Sequence, residues 1–402
     1  MQAAVLEKKD FVVWRLLENP ENDVRIEAAT KNQTMVKNKA GHKRGTPEKS
    51  DMLIRRYDKN PVVSPDSDCR WGSARAKSPA VVYDGERFHM VFTGAPEGGG
   101  GRAPLYLGYA SSTDGFHFER AAQPLLAPSD REGDFDWGTV EDARVTPLDG
   151  RHYIAYAARA ALQCDITVKK RPPRNTPNDR PTWNRNFRRV GLAATDNFSD
   201  VQRLGPITSE LVSDANVVLF PERIHGRYAM LHRPTPFIPG NHACHYAPGR
   251  LFIAYSDNLT SWFRDDENAL NRAPENDHLL MAPEQDWEAH KIGGAGVPIK
   301  TEEGWLSFYH AKDKNRVYRC GLILLDREDP GKVIARTPEP VFEPETVLER
   351  EGRVKNTIFP CSHIVVNDEV LIYYGASGEY VCVATARLDA LLETVLRHRI
   401  RD

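Results

Sequence analysis

No stretch of this sequence approaches the roughly 18 consecutive apolar residues that a membrane-spanning helix needs. The start, MQAAVLEKKDFVVW, also lacks the apolar core of a secretory signal. These absences predict a soluble, cytoplasmic protein with no membrane partner. An excess of either charge is missing too: 54 Lys and Arg face 56 Asp and Glu, for a net charge of −2. Proteins that bind nucleic acid or other polyanions normally carry a marked basic excess, so no nucleic-acid partner is expected. Cysteine is scarce and scattered. Cys69, Cys164, Cys244, Cys320, Cys361 and Cys382 form no C-x-x-C pair, which argues against a zinc cage or a disulfide framework and leaves simply packed thiols. No acidic or histidine cluster has ligand spacing, so neither a metal nor a cofactor is expected.

What the chain does have is 28 Gly, 28 Pro and 9% aromatic residues in 402 positions, enough length for several domains or for one built from repeats. One unit recurs five times, as a short strand, a polar turn and a strand ending in aromatic or small residues. The copies are AVVYDGERFHMVFTGA from Ala80, RVTPLDGRHYIAYAA from Arg144, LFPERIHGRYAMLHRP from Leu219, VPIKTEEGWLSFYHA from Val297 and HIVVNDEVLIYYGA from His363. Their turns are Asp84-Gly85, Asp149-Gly150, His225-Gly226, Glu303-Gly304 and Asn367-Asp368, residue types suited to tight hairpins. A second unit follows each copy, as in LYLGYASSTDGFHF from Leu105 and LFIAYSDNLTSW from Leu251. Two hairpins per repeat make four strands. The period-2 alternation in MVF, YIAY and LIYY excludes helical repeats. The pattern predicts an all-β fold, a five-bladed β-propeller over residues 61–402, with two packed sandwiches as the alternative.

Three segments fall outside the blades. Residues 1–60 join an amphipathic start, with Phe11, Val12, Leu16 and Leu17, to a Lys-rich run from Lys31 to Lys49; they read as an N-terminal extension, partly helical or disordered. Residues 159–187 form a long insertion in the second blade, and 235–250 a shorter one with Pro236, Pro239, His242 and His245. The long insertion and its flank carry Lys169, Lys170, Arg171, Arg174, Arg180, Arg185 and Arg188. Its basic character suits a cover over one side of a cleft or a bridge to a second copy in a homo-oligomer.

Two constellations bear on chemistry. Glu141, Asp142 and Arg144 stand at the start of an apolar strand. Alternation would send Glu141 and Asp142 to opposite faces, so only one carboxyl is expected to enter a given site, as a general acid or as half of a structural Asp–Arg pair. Basic residues also recur at blade ends: His232-Arg233, His310, and Lys291 before the turn Gly293-Gly294-Ala295-Gly296. Converging Arg, Lys and His suit a phosphate, which takes a bidentate fork and a point charge.

These motifs resemble glycoside hydrolase family 130, the β-mannoside phosphorylases and related β-mannosidases. The likeness runs from about residue 60 to about 395, and its most specific parts are VEDARVT (Val140–Thr146), LFPERIHGRYAMLHRP (Leu219–Pro234), WEAHKIGGAGVPIKTEEGWLSFYHA (Trp287–Ala311), GLILLDREDPGKVIARTPEPVFEPE (Gly321–Glu345) and YYGAS with VCVATARLDALL. The resemblance implies a five-bladed propeller and an inverting phosphorolysis of short β-mannosides, yielding α-mannose 1-phosphate. It makes Asp142 the acid, acting through the 3-hydroxyl of the mannosyl unit, and Arg233, Lys291 and His310 the phosphate ligands. It further places Ser78, Arg144, Asn216 and Glu379 at the sugar, with inorganic phosphate as co-substrate. The chain departs from the family pattern at four positions: Ala215 and Thr93 stand where arginines are usual, Gly378 where an aspartate grips the sugar, and Ala143 where proline follows the acid. An inverting β-mannosidase and a non-catalytic carbohydrate-binding propeller are the other readings of the same pattern.

Overall fold

In the computed structural model each marked turn closes a hairpin. Residues 14–18, 24–28, 52–97, 104–160, 188–209, 212–236, 249–262 and 277–400 are described. Asp149-Gly150 and His225-Gly226 have positive φ at both residues, and so do Asn367 and Asp368, at 53° and 65°. That is the geometry of a two-residue turn matched to the strand twist. Five sheets result. Blade one runs Arg75–Tyr83, Phe88–Ala95, Tyr106–Ser112, Glu119–Arg120, and blade two Thr139–Leu148, Arg151–Arg159, Arg189–Thr195, Gln202–Pro206. Blade three runs Val218–Leu219, Tyr228–His232, Leu251–Ser256, Asp277–Met281, and blade four Lys291–Gly294, Trp305–Lys312, Tyr318–Leu325, Val333–Arg336. Blade five runs Ile358–Val366, Glu369–Ala376, Tyr380–Arg387 and then Arg55–Arg56 from the other end of the chain.

The last pairing closes the ring, because Arg55 and Arg56 lie opposite Thr385 and Ala384. The propeller therefore begins before residue 61. Ahead of it, Trp14–Glu18 pairs with Val24–Ala28 as a two-stranded ribbon, in a region where the sequence suggested helix. The Lys31–Lys49 run, nearly all of the 159–187 insertion and the 237–248 part of the shorter one lie outside the described residues. The described cysteines, Cys69, Cys320, Cys361 and Cys382, are free and buried.

Two sandwiches would bury two broad cores. The described residues instead bury five, one between each pair of neighbouring blades. The alternation in the sequence is thereby given a different meaning. In Glu369–Ala376 every residue after the first is buried. Val370, Ile372 and Tyr374 enter the core shared with blade four, whereas Leu371 and Tyr373 enter the core shared with blade one. The period of two sorts side chains between two interiors and not between core and water.

A polar clasp recurs at the end of the blades where the inner strands begin. In blade four, buried Glu288 accepts from the Tyr309 hydroxyl at 2.6 Å and from Arg336 Nη2 at 2.6 Å. In blade five Glu349 takes Tyr374 at 2.8 Å and Arg56 Nε at 2.8 Å, and in blade two Asp136 takes Tyr156 at 3.0 Å and Arg203 Nε at 3.2 Å. Each clasp ties the approach to an inner strand, the second strand and the outer strand with satisfied buried charge. A glycine on the third strand makes room for the ring: a Cβ at Gly191 would lie 2.5 Å from Tyr156, and one at Gly321 2.6 Å from Tyr309.

Candidate active site

The inner strands do not run smoothly. Blade one shifts register between Lys77 and Ala80, and blade two between Glu141 and Arg144. At these points Ser78 and Asp142 both have φ 54°, and Asn216, just ahead of the blade-three inner strand, has φ 58°. Non-glycine residues held in the left-handed region concentrate where a site needs a side chain re-aimed. Three polar residues thus hold this conformation on the inner strands or just ahead of them, two of them at bulges.

The bulge also overturns the alternation argument for the acidic pair. Asp142 Oδ1 accepts from Lys77 Nζ at 2.8 Å and from Ser78 Oγ at 2.7 Å, while the same Lys77 reaches Glu141 Oε2 at 3.3 Å. Both carboxylates therefore face one lysine. Glu141 is also ion-paired to Arg159 Nη1 at 2.7 Å. The Asp142 backbone N–H donates to Thr93 Oγ1 at 2.9 Å. Burial alone would raise the Asp142 pKa, but the Lys77 charge and hydrogen bond, with Ser78, outweigh it and hold the carboxyl far below the usual range. Lys77 is correspondingly held above the ordinary lysine value: burial opposes its charge, and Asp142 and Glu141 outweigh burial.

Arg144 does not pair with the Asp142 carboxylate. Its guanidinium donates to the carbonyls of Asp142 at 3.0 Å and Ala143 at 3.1 Å and to the Ala295 carbonyl of blade four. With 1% exposure it forms the floor beneath the site, tying two blades across the centre.

Arg233, Lys291 and His310 do converge. A Cβ added at Gly249 would lie 3.0 Å from both Arg233 Cδ and Lys291 Cβ, and one at Gly293 would lie 2.8 Å from His310 Nε2 and 3.0 Å from Arg233 Nη1. Those glycines leave the space in which the three side chains meet. His310 is fully buried with neither ring nitrogen hydrogen-bonded among the described residues, and its ring lies 4.5 Å from that of Phe359. Burial, Arg233 and Arg144 push its pKa well down. Burial, Arg233 and Lys312 do the same to Lys291. Cations that repel one another in a buried pocket are stabilised together by one anion.

His232, read with Arg233 as an anion-site candidate, points elsewhere. Its Nδ1 meets Asp214 Oδ2 at 2.7 Å and its Nε2 meets Asp277 Oδ1 at 3.0 Å, in the place that tyrosine takes in the other clasps. Through Asp214 Oδ1, which accepts the Arg233 N–H at 3.1 Å, this clasp anchors the anion pocket.

The remaining sugar candidates are divided. Ser78 is engaged with Asp142. Asn216 is 5% exposed, and its Oδ1 has no hydrogen-bond partner among the described residues, as an acceptor held for a ligand would be. Glu379 sits at the seam of blades five and one, where its carbonyl accepts the Ala76 N–H at 3.0 Å. Gly378 beside it has φ 75°, a conformation costly for the aspartate expected there. Sequence reasoning missed Lys77 and Tyr318. Tyr318 lies under both lysines of the pocket, its ring centroid 5.3 Å from Lys291 Nζ and 4.8 Å from Lys312 Nζ. Lys77 had one usable signal, its position opposite Thr93 in the blade-one hairpin, where an arginine is absent.

Comparison with known proteins agrees with this architecture. The profile of glycoside hydrolase family 130, described as beta-1,4-mannooligosaccharide phosphorylase, matches residues 72–397. A 1,2-beta-oligomannan phosphorylase from a Thermoanaerobacter species is 34% identical over 335 residues, covering 82% of this chain and 96% of the relative. The Beta-1,4-mannooligosaccharide phosphorylase of Ruminococcus albus is 27% identical, over 86% of this chain and 92% of its own. Among solved structures, a beta-1,2-mannobiose phosphorylase from Listeria innocua superposes with a TM-score of 0.67 at 22% identity, covering 86% of this chain and 100% of that one. The profile spans the residues from the inner strand of blade one to the third strand of blade five, and the chain belongs to glycoside hydrolase family 130.

Proposed function

We propose that this protein is an inverting β-mannoside phosphorylase, converting a short β-mannoside and inorganic phosphate into α-mannose 1-phosphate and a shortened acceptor. The observation that carries the reading is the buried pocket in which Arg233, Lys291 and His310 meet, within electrostatic reach of the Asp142 carboxylate. A hydrolase on this scaffold needs a carboxylate base about 6.5–9.5 Å from the acid to activate water. Phosphate arrives already anionic and needs none. The phosphorylase names of the Thermoanaerobacter and R. albus relatives support the same chemistry.

In the proposed reaction a phosphate oxygen held by Arg233, Lys291 and His310 bonds to the anomeric carbon from the face opposite the leaving group. The glycosidic C–O bond breaks as Asp142 passes its proton, through the mannosyl 3-hydroxyl, to the departing oxygen. Asp142 is ionised in the free protein, so its proton is acquired on binding. A phosphate monoanion can bring that proton. Dianionic phosphate nearby and exclusion of water by the sugar both raise the carboxyl pKa.

The test is incubation with β-1,2- and β-1,4-mannobiose, with and without phosphate, followed by product analysis. Phosphate-dependent α-mannose 1-phosphate is expected from at least one, and Asp142→Asn should lower turnover about 10²–10⁴-fold with sugar binding retained. Free mannose released without phosphate refutes phosphorolysis in favour of hydrolysis. An inert wild type that still binds mannoside supports a binding module.

A further inference from the structure

Arg188 has no part in the roles assigned above. It stands just before the third strand of blade two, Arg189–Thr195, and its main chain is fixed on both sides. The Arg188 N–H donates to Ser213 Oγ at 3.1 Å, and its carbonyl accepts the Asp214 N–H at 2.9 Å. The same short segment holds Arg233, whose N–H reaches Asp214 Oδ1 at 3.1 Å and the Ala215 carbonyl at 3.1 Å. Two arginines from different blades are thus pinned to residues 213–215. Their charges interact: Arg188 contributes to lowering the pKa of both Arg233 and Lys291, and it helps hold Asp142 ionised.

Among the described residues Arg188 has one ion-pair partner and no close one. Its Nε stands 3.5 Å from Glu141 Oε1, beyond the 2.7–2.9 Å typical of a charge-assisted hydrogen bond. That nitrogen is buried without a hydrogen-bond partner among the described residues. Glu141 is already engaged, Oε1 with Arg159 at 2.7 Å and Oε2 with Lys77 at 3.3 Å. Lys77, Arg159, Arg188, Arg233 and Lys291 therefore outnumber the carboxylates that act on them among the described residues, Glu141, Asp142 and Asp214. The surplus positive charge, with an unspent guanidinium among it, is what a multiply charged anion needs.

We propose that Arg188 completes the anion pocket, its guanidinium donating to bound phosphate beside Arg233 from across the place where residue 215 is only a methyl group. The inference rests on the phosphorolysis reading. It explains how the site tolerates Ala215: an arginine usual on the inner approach of blade three is supplied from the edge of blade two.

The experiment measures inorganic phosphate binding by calorimetry and, in parallel, KM for phosphate and for mannobiose. The chains are wild type, Arg188→Ala, Arg188→Lys and the double variant Arg188→Ala/Ala215→Arg. Arg188→Ala should weaken phosphate binding and raise its KM roughly ten- to a hundredfold, the loss of a charge-assisted hydrogen bond, with KM for mannobiose changed less than about twofold. Arg188→Lys should recover part of the affinity, since lysine lacks the planar fork. The double variant should regain phosphate affinity over Arg188→Ala. Unchanged phosphate binding in Arg188→Ala while the wild type binds overturns the role of Arg188 alone, and so does an equal rise in both KM values. A wild type that binds no phosphate overturns the phosphorolysis reading with it.

Discussion

Lys77 dictates the protonation state of the proposed acid, so replacing it by methionine is the most direct probe of the site's electrostatics. Its Nζ is 2.8 Å from Asp142 Oδ1 and 3.3 Å from Glu141 Oε2. A cation at that range lowers a carboxyl pKa by about 1–3 units, or ~1.4–4 kcal/mol. With Lys77 gone, burial and the neighbouring Glu141 charge both push the Asp142 pKa upward, while Arg159 keeps Glu141 ionised. The sign follows from the role. A general acid works from its protonated form, and above the pKa that fraction grows about tenfold for each unit the pKa rises. The alkaline limb of kcat, which reports the ligand-bound complex in which Asp142 has gained its proton, should therefore move up by about 1–3 pH units in Lys77→Met, even if looser positioning lowers the plateau. The assay is phosphorolysis of mannobiose from pH 4.5 to 9 at constant ionic strength. Lys77→Arg keeps the charge and should keep the wild-type limb. A Lys77→Met profile that coincides with wild type, or moves down, refutes the claim that this lysine sets the acid's ionisation.

The His232 clasp makes stability depend on pH in the opposite direction from a carboxylate. Burial works against the ring's charge, but Asp214 and Asp277 outweigh it and raise the pKa to about 9, so the stabilisation is whole below the ordinary histidine value near 6.5 and is lost as pH rises through 9. Denaturant titration should show up to ~3 kcal/mol lost between pH 6.5 and 9.5, a loss absent from His232→Gln; equal pH dependence in the two chains defeats the idea. Arg56, on the strand that closes the ring, donates to buried Glu349 at 2.8 Å and to Glu345 at 2.7 Å. Arg56→Ala should cost about 3 kcal/mol by leaving Glu349 partly uncompensated, against under 0.5 kcal/mol for an exposed ion pair such as Arg397–Glu393; a similar small loss at both would contradict the clasp.

Five blades were legible because each hairpin repeats its turn chemistry, Asp-Gly or an equivalent, between two apolar strands. The fourth strand of blade five was not, since Arg55 and Arg56 are two residues with no pattern and pair with Thr385 and Ala384 across nearly the whole chain. Nothing local marks such closure. The clasps were equally hidden: Glu288, Tyr309 and Arg336 look unrelated in sequence until the blade brings them to 2.6 Å.

The site divides along the same line. Arg233, Lys291 and His310 could be found because they occupy corresponding blade ends, and regular strands carry corresponding positions to one place. Glu141 and Asp142 were misread because the rule that separates neighbours on a strand holds only where the strand is regular, and Asp142 sits at a register shift with φ 54°. The departures at 93 and 215 follow from this geometry. Lys77 lies directly across the hairpin from Thr93, and Arg188 is bonded to the residue before Ala215. On the proposed reading, a cation missing at one position is in both cases provided by a neighbour in space. A pocket that must hold an anion constrains the charge at a point, and not the strand from which the charge arrives. On that reading positions 93 and 215 lose a cation each, while the charge at the pocket is kept by Lys77 and Arg188.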